Sequence, residues 1–296
     1  MLSLYLFTYL SAIVFVIAIV VRVVKVASLP MHLRWELYPV AHEGKRAVYG
    51  GSYLEDFEWW KKKRHSSLIG ELAVMLPEIF LLKALWKDNR KLWLPSFCLH
   101  HGVYWSAGMA ILIVLKTLTG WGFLTNLILI VGFIGYTIGA TGAFLFLLIR
   151  ITDSKLRPFN SLATYFNLLF LLAIFASGYY SAFVNIDHFA EMTGFFDSLI
   201  KFSFAGTISA SMMLHILFAV LFVLYLPFTH MTHFVIKYFT YHSIRWNDEP
   251  NMPGGKMEEK IAKLLKQPVT WSAKHIGADG KKNWVDIVTS EVPKNE

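Results

Sequence analysis

The chain has 296 residues, of which 55% are hydrophobic and only 16% charged, with 24 Phe, 13 Tyr, 10 Trp and a net charge of +8. A soluble domain carries about 25% charge and a disordered chain few aromatics, so both classes are excluded. The single cysteine, Cys98, excludes an internal disulfide and any cluster held by this chain's own thiolates, leaving eleven histidines as its soft, redox-tolerant metal ligands.

Five apolar runs follow in chain order: about Leu2–Val21, Ser96–Leu115, Leu124–Ile149, Ser161–Val184 and Phe204–Leu226. The last has a helical continuation past Pro227 to about Tyr241. At 1.5 Å per residue each run covers a hydrocarbon core of about 30 Å. The stretch Ser67–Trp86 is weaker, because it carries Glu71, Pro77, Glu78 and Lys83. A charge near the bilayer centre costs about 2.5–3.5 kcal/mol, so this segment reads as an amphipathic helix on the membrane surface, not a sixth span. The expected fold is an all-α integral membrane protein with five transmembrane helices plus an amphipathic cytoplasmic helix. Residues 1–241 form the transmembrane domain, with a cytoplasmic loop over 22–95. Residues 242–296 form a cytoplasmic C-terminal arm, with turns at Pro253-Gly254-Gly255 and Asp279-Gly280.

Lys and Arg set the orientation. Arg22–Lys91 holds 13 of them, Arg150–Arg157 holds 3 and Lys237–Lys294 holds 10, so five spans put 26 of 28 on one side. The positive-inside rule then places the amino terminus outside and the loop, the short basic turn and the carboxyl-terminal arm in the cytoplasm, in a multi-pass protein of the cytoplasmic (inner) membrane. Six spans would split the basic segments across both faces. The opening segment lacks a basic start, so it does not read as a cleavable signal peptide. The positive charge is a topology signal and not a nucleic-acid footprint.

Ionisable side chains in a span are costly and default to a functional hypothesis. His100 and His101 open the second span. His215 lies in the fifth, and His230 and His233 follow Pro227. On an undistorted helix His215 and His233, five turns apart, point the same way about 27 Å apart. His100 and His233 share the cytoplasmic depth, and two imidazoles on facing helices are how a bundle holds b-type haem. Gly102 after His100 leaves room for a flat macrocycle, and His101 lies about 100° round the helix, outside that role. His100 and His233 are therefore the expected ligand pair. His215 is a tentative ligand of a second haem, but no second histidine is evident at its depth, so one haem is better supported than two. Against these stand plainer roles: interfacial histidines that start a helix or reach water, and for His215 a hydrogen bond to a neighbouring helix. Asp187, His188 and Glu191 read as a solvated outer loop, with proton relay as the functional alternative.

The stretch from His215 through Pro227-Phe228 to His233 resembles the gamma subunit of respiratory nitrate reductase, as do Ser96-Phe-Cys-Leu-His100-His-Gly102 and the basic turn Arg150–Pro158. The blocks Leu33–Pro39, His42-Glu43, Tyr49–Tyr53, Trp59-Trp60 and Phe239–Pro250 resemble membrane cytochromes b of heterodisulfide-reductase-like and sulfate-reducer respiratory complexes. The resemblance implies a nitrate reductase gamma-like bundle with haem b on His100 and His233. It implies menaquinone as substrate, a cytoplasmic iron–sulfur partner of heterodisulfide-reductase type, and further periplasmic or membrane redox subunits. The family's second-span ligand to its outer haem falls at Ala110, so that haem is absent, is five-coordinate on His215, or uses an atypical ligand. The implied function is electron exchange between the menaquinone pool and that partner; Arg34–Glu43, Tyr49–Trp60 and Tyr241–Pro250 are the docking candidates. Arg34, Arg64, Arg90 and Lys91 are the candidate partners of haem propionates. The alternative is a haem-free membrane anchor for a soluble oxidoreductase. A transporter is disfavoured, since neither inverted repeats nor paired intramembrane charges are seen.

Overall fold

The computed structural model describes residues 1–28, 53–63, 65, 67–204, 206–246 and 251–290. The blocks Leu33–Pro39 and His42-Glu43, most of Tyr49–Tyr53, and Asn247–Pro250 lie outside them. So do Arg34 and Arg64.

Among the described residues five helices are long and apolar enough to cross a membrane: α1 (Leu2–Ala27), α4 (Arg90–Thr119), α5 (Leu124–Thr152), α6 (Leu162–Val184) and α8 (Ala210–Tyr225), the last extended by a 3₁₀ turn to Phe228. The chain is an all-α membrane protein with these five candidate spans. Between α1 and α4 lie α2 (Leu68–Phe80) and the short α3 (Lys83–Asp88). The 13 residues of α2 reach only about 20 Å, so it does not span.

The chain divides into two compact units, Met1–Ile19 with Met75–Thr229, and Val20–Val74 with His230–Glu296. In the first unit α4 packs on α5, α5 on α6 and α6 on α8. Hydrocarbon supplies no hydrophobic force between helices, so close backbone approach has to hold them. The face of α5 supplies it with Gly135, Gly139 and Gly142, which meet Ser106, Gly102 and Leu99 of α4. A Cβ added at Gly102 would lie 2.2 Å from the Gly139 Cα, and one at Gly142 would lie 2.2 Å from the Leu99 nitrogen. The space beside Gly102, expected to be open, is therefore filled by the α5 backbone. The Ser106 hydroxyl is buried with no partner among the described residues; the contact uses its size, not its polarity.

Residues 188–201, expected as a loop, form a helix, α7 (His188–Lys201), that buries His188, Met192, Phe195 and Ser198. Their spacing of three and four residues is the helical signal. The start of α1 docks on this helix: Tyr5 stacks on Phe195 at 4.8 Å between ring centroids, and the Tyr9 hydroxyl donates to the Leu199 carbonyl. The side chain of Ser209 caps α8 by accepting from the Met212 N–H, and the Glu191 carboxylate accepts from the Ser209 N–H at 3.0 Å. That cap is why the fifth span starts at Ala210 and not near Phe204.

The expected continuation past Pro227 does not form as one helix. The Pro227 ring lacks an N–H and disrupts the preceding turn. The chain tightens into 3₁₀ geometry over Leu226–Phe228, then extends at Thr229 (φ −112°, ψ 170°). A second 3₁₀ turn, His230–Thr232, leads into α9 (His233–Phe239). His215 and His233 thus sit on separate helices, and the five-turn relation does not hold.

In the second unit α9 widens into a π turn over Thr240–Arg245. The arm holds α10 (Lys256–Leu265), a two-stranded hairpin of β1 (Ser272–Ala273) and β2 (Ala278–Asp279), and α11 (Trp284–Thr289). Val269, Ala278 and Ile287 form its small core.

The glycine contact is testable. Gly102→Ala forces α4 and α5 apart and should cost about 1–3 kcal/mol. Gly108→Ala meets nothing closer than a Val131 methyl at 4.0 Å, and should be neutral or stabilising by up to about 1 kcal/mol through helix propensity. Unfolding of the two variants in detergent micelles measures the difference.

Candidate functional site

Near the start of α4, the Nδ1 of His100 lies 2.7 Å from the Ser96 carbonyl. A carbonyl only accepts, so Nδ1 carries the proton and Nε2 is the basic nitrogen. Metal-ligating histidines are commonly oriented this way, with one nitrogen held by the backbone and the other left for the metal. The residue is half-buried. His101 is held likewise by the Phe97 carbonyl at 3.0 Å and stacks on the Phe97 ring at 3.9 Å. It lines an apolar cleft of about 480 Å³ with Phe80, Tyr104, Trp105, Gly108 and Val131. The Tyr104 hydroxyl donates across to the Ile79 carbonyl at 3.0 Å.

His233 belongs to the second unit. Its Nδ1 is 3.3 Å from the His230 carbonyl, again pointing to an Nδ1–H tautomer. Of the other expected cationic groups, Arg90 lies over the Trp86 ring at 4.5 Å and Lys91 pairs with Asp153 at 2.7 Å. His242 stacks on Tyr238 at 4.1 Å and approaches the Glu71 carboxylate at 3.5 Å.

The second set of polar groups was not legible as a set. His215 is buried, with its Nε2 3.1 Å from the Tyr136 hydroxyl and its Nδ1 3.2 Å from Ser177 Oγ. His188, expected in a solvated loop, is 1% exposed. Its Nε2 meets the same Tyr136 hydroxyl at 3.3 Å and its Nδ1 meets Ser181 Oγ at 2.9 Å. The imidazole centroids of His188 and His215 are 5.9 Å apart. So a second histidine does lie beside His215, brought there by α7. Spacing could not pair them, because 27 residues and a helix-to-helix turn separate them; only the apolar period of 188–201 hinted that His188 points inward.

No family model, curated protein or solved structure matches the chain. The geometry therefore has to be weighed by itself. Among the described residues no group of three or more His, Cys, Asp or Glu gathers to hold a metal ion. The hold on Nδ1 of His100, and separately of His233, by a carbonyl one turn back fits the donor chemistry of a histidine metal ligand. The surroundings of His215 do not. Both its nitrogens are engaged, and a Cβ at Gly178 would lie 2.7 Å from the Tyr136 ring and 2.8 Å from the His215 ring. The flat space a macrocycle needs there is filled by protein.

His188 lies outside the membrane-spanning helices, and burial pushes its imidazole down to about 4 from an ordinary 6.5, against the opposing charge of Glu191. The folded protein thus holds the neutral ring, while the unfolded chain takes up a proton below about 6.5. The stabilisation is present above that pH and is lost as pH falls toward 4. Melting temperature in detergent should drop through this window, and His188→Gln should flatten the drop.

Proposed function

We propose that this chain is a membrane cytochrome b, similar to the nitrate reductase gamma subunit, that exchanges electrons between menaquinone and a cytoplasmic iron–sulfur subunit of heterodisulfide-reductase type. The observation that carries the reading is the His100 tautomer. An imidazole near the start of a 30-residue apolar helix has its Nδ1–H held by the Ser96 carbonyl at 2.7 Å, the orientation that metal-ligating histidines commonly share. His233, after the break at Thr229, is the matching imidazole in the resemblance.

His100 and His233 would hold a haem b. Bound there, that group supplies one-electron redox chemistry. The chain's own part is to orient and to exclude water. The Ser96 carbonyl fixes the His100 ring, and the buried Leu99 and Gly102 seal the α4–α5 contact beside it. Quinone chemistry couples two electrons to two protons, so an ionisable group has to stand within reach of the membrane interior. With one cysteine the chain cannot carry an iron–sulfur cluster, so electrons leave it to a separate subunit. Among the described residues of the docking candidates, Phe57 is 87% exposed and Trp59 stacks edge-on against Trp60 and Tyr53, aromatic surface of the kind that anchors interfaces. The amino terminus would lie outside, and the arm beyond residue 241 in the cytoplasm.

A dithionite-reduced sample should show the α band of a b-type haem. His100→Ala and His233→Ala should each abolish or shift it, and His101→Ala should leave it in place. An unaltered spectrum in both single variants of the pair overturns the ligand assignment.

A further inference from the structure

The hydrogen bonds around His215 do not stop at Tyr136; they continue to the end of the bundle where α7 lies. From His188 the string passes through Ser181 Oγ to Ser211 Oγ at 3.1 Å and from Ser211 to Ser209 Oγ at 3.2 Å. Ser209 then donates to the half-buried Glu191 carboxylate at 2.8 Å. Every link lies between 2.8 and 3.3 Å.

With Glu191 ionised and His215 doubly protonated, donor and acceptor inventories set one direction along this string. The carboxylate only accepts, so Ser209 donates to it, which obliges Ser211 to donate to Ser209. Ser181 donates to Ser211 and accepts from His188 Nδ1–H. The neutral His188 then has a lone pair on Nε2, which accepts the Tyr136 hydroxyl proton. The Tyr136 oxygen is left to accept from His215 Nε2–H; because Ser177 gives its own proton to the Ile174 carbonyl at 2.9 Å, His215 Nδ1 donates as well, and this orientation belongs to the imidazolium ring. Each hydroxyl from Tyr136 to Ser209 and the His188 ring give one proton and take one, all pointing toward Glu191. A merely structural cluster of this size needs only satisfied partners; a common direction from a buried base to a surface carboxylate is an added property.

We propose that this string is a proton path joining the membrane interior at His215 to the aqueous end of the bundle at Glu191. One concerted shift moves each proton a single place: His215 Nε2 loses one, every intermediate group loses one and gains one, and Glu191 becomes the protonated carboxylic acid. His215 thereby passes from the doubly protonated ring to the neutral one that donates from Nδ1 to Ser177 Oγ, and its second proton is taken from an acid in the interior, such as the hydroxyl of a quinol. Running backward, the same shift delivers a proton inward. The use of the path in quinone chemistry rests on the function proposed above; the path itself rests on the geometry alone.

The test is exchange of the His215 ring N–H with water. The probe is water itself, and the sample is the full-length protein with ¹⁵N-labelled histidine, reduced, in lipid nanodiscs, with His215→Gln assigning the signal. Although His215 is only 5% exposed, its exchange should be fast, and Tyr136→Phe and Ser181→Ala should each slow it at least tenfold. Loosening of the fold acts with the opposite sign and speeds exchange, so a destabilised variant cannot mimic a broken path. Two variants are used so that the misfolding of one does not decide the matter. Wild-type-like exchange in a variant that melts as the wild type does overturns the path. Haem content supplies the second arm. An unchanged haem-to-protein ratio in His188→Gln agrees with the path, whereas loss of a haem makes the two histidines iron ligands and overturns it. A colourless wild type would defeat the cytochrome reading while leaving the exchange result standing on its own.

Discussion

Hydrocarbon offers no hydrogen-bond partner, and this single constraint organises the protein. A polar group carried into the spans has to find its partner within the protein or cost several kcal/mol. Two imidazoles in α4 answer with a backbone carbonyl one turn back. A buried pair at the α7 end answers with a tyrosine and serines. The same solvent removes the hydrophobic drive between helices, and glycines answer by letting the α4 and α5 backbones touch. Packing and site chemistry are thus two responses to one medium.

These responses divide the histidines into two kinds. His100 and His233 each have Nδ1 held by a backbone carbonyl, which orients the ring. His188 and His215 are held at both nitrogens by side chains, which makes them members of a network. The first arrangement suits a metal ligand. The second suits proton transfer, and the Tyr136 ring fills the space beside His215 that a macrocycle would need.

Much of the fold was legible in the sequence because spans are a matter of length and apolarity. All five apolar runs are helices, and α2 is too short to cross, as its charges implied. Three features were not legible. The break at Thr229 depends on how far the chain relaxes around Pro227, which composition does not state. The burial of His188 depends on the amphipathic helix α7 folding onto the bundle, and Asp187 and Glu191 on either side of it disguised that helix as a loop. Gly102 read as leaving room for a flat macrocycle, but that space holds the backbone of α5, which only a three-dimensional arrangement shows. At the site, single residues stood out as intramembrane imidazoles, while the links through Ser181, Ser209 and Tyr136 did not, because small hydroxyl residues are common at helix contacts and carry no signal alone.

The central claim is that this chain carries a single iron porphyrin, and haem stoichiometry addresses it most directly. Pyridine haemochrome analysis of the purified full-length protein, produced with ample haem, should give one b-type haem per chain. A value of zero would contradict the cytochrome assignment, and a value of two would contradict the placing of His188 and His215 in a proton path.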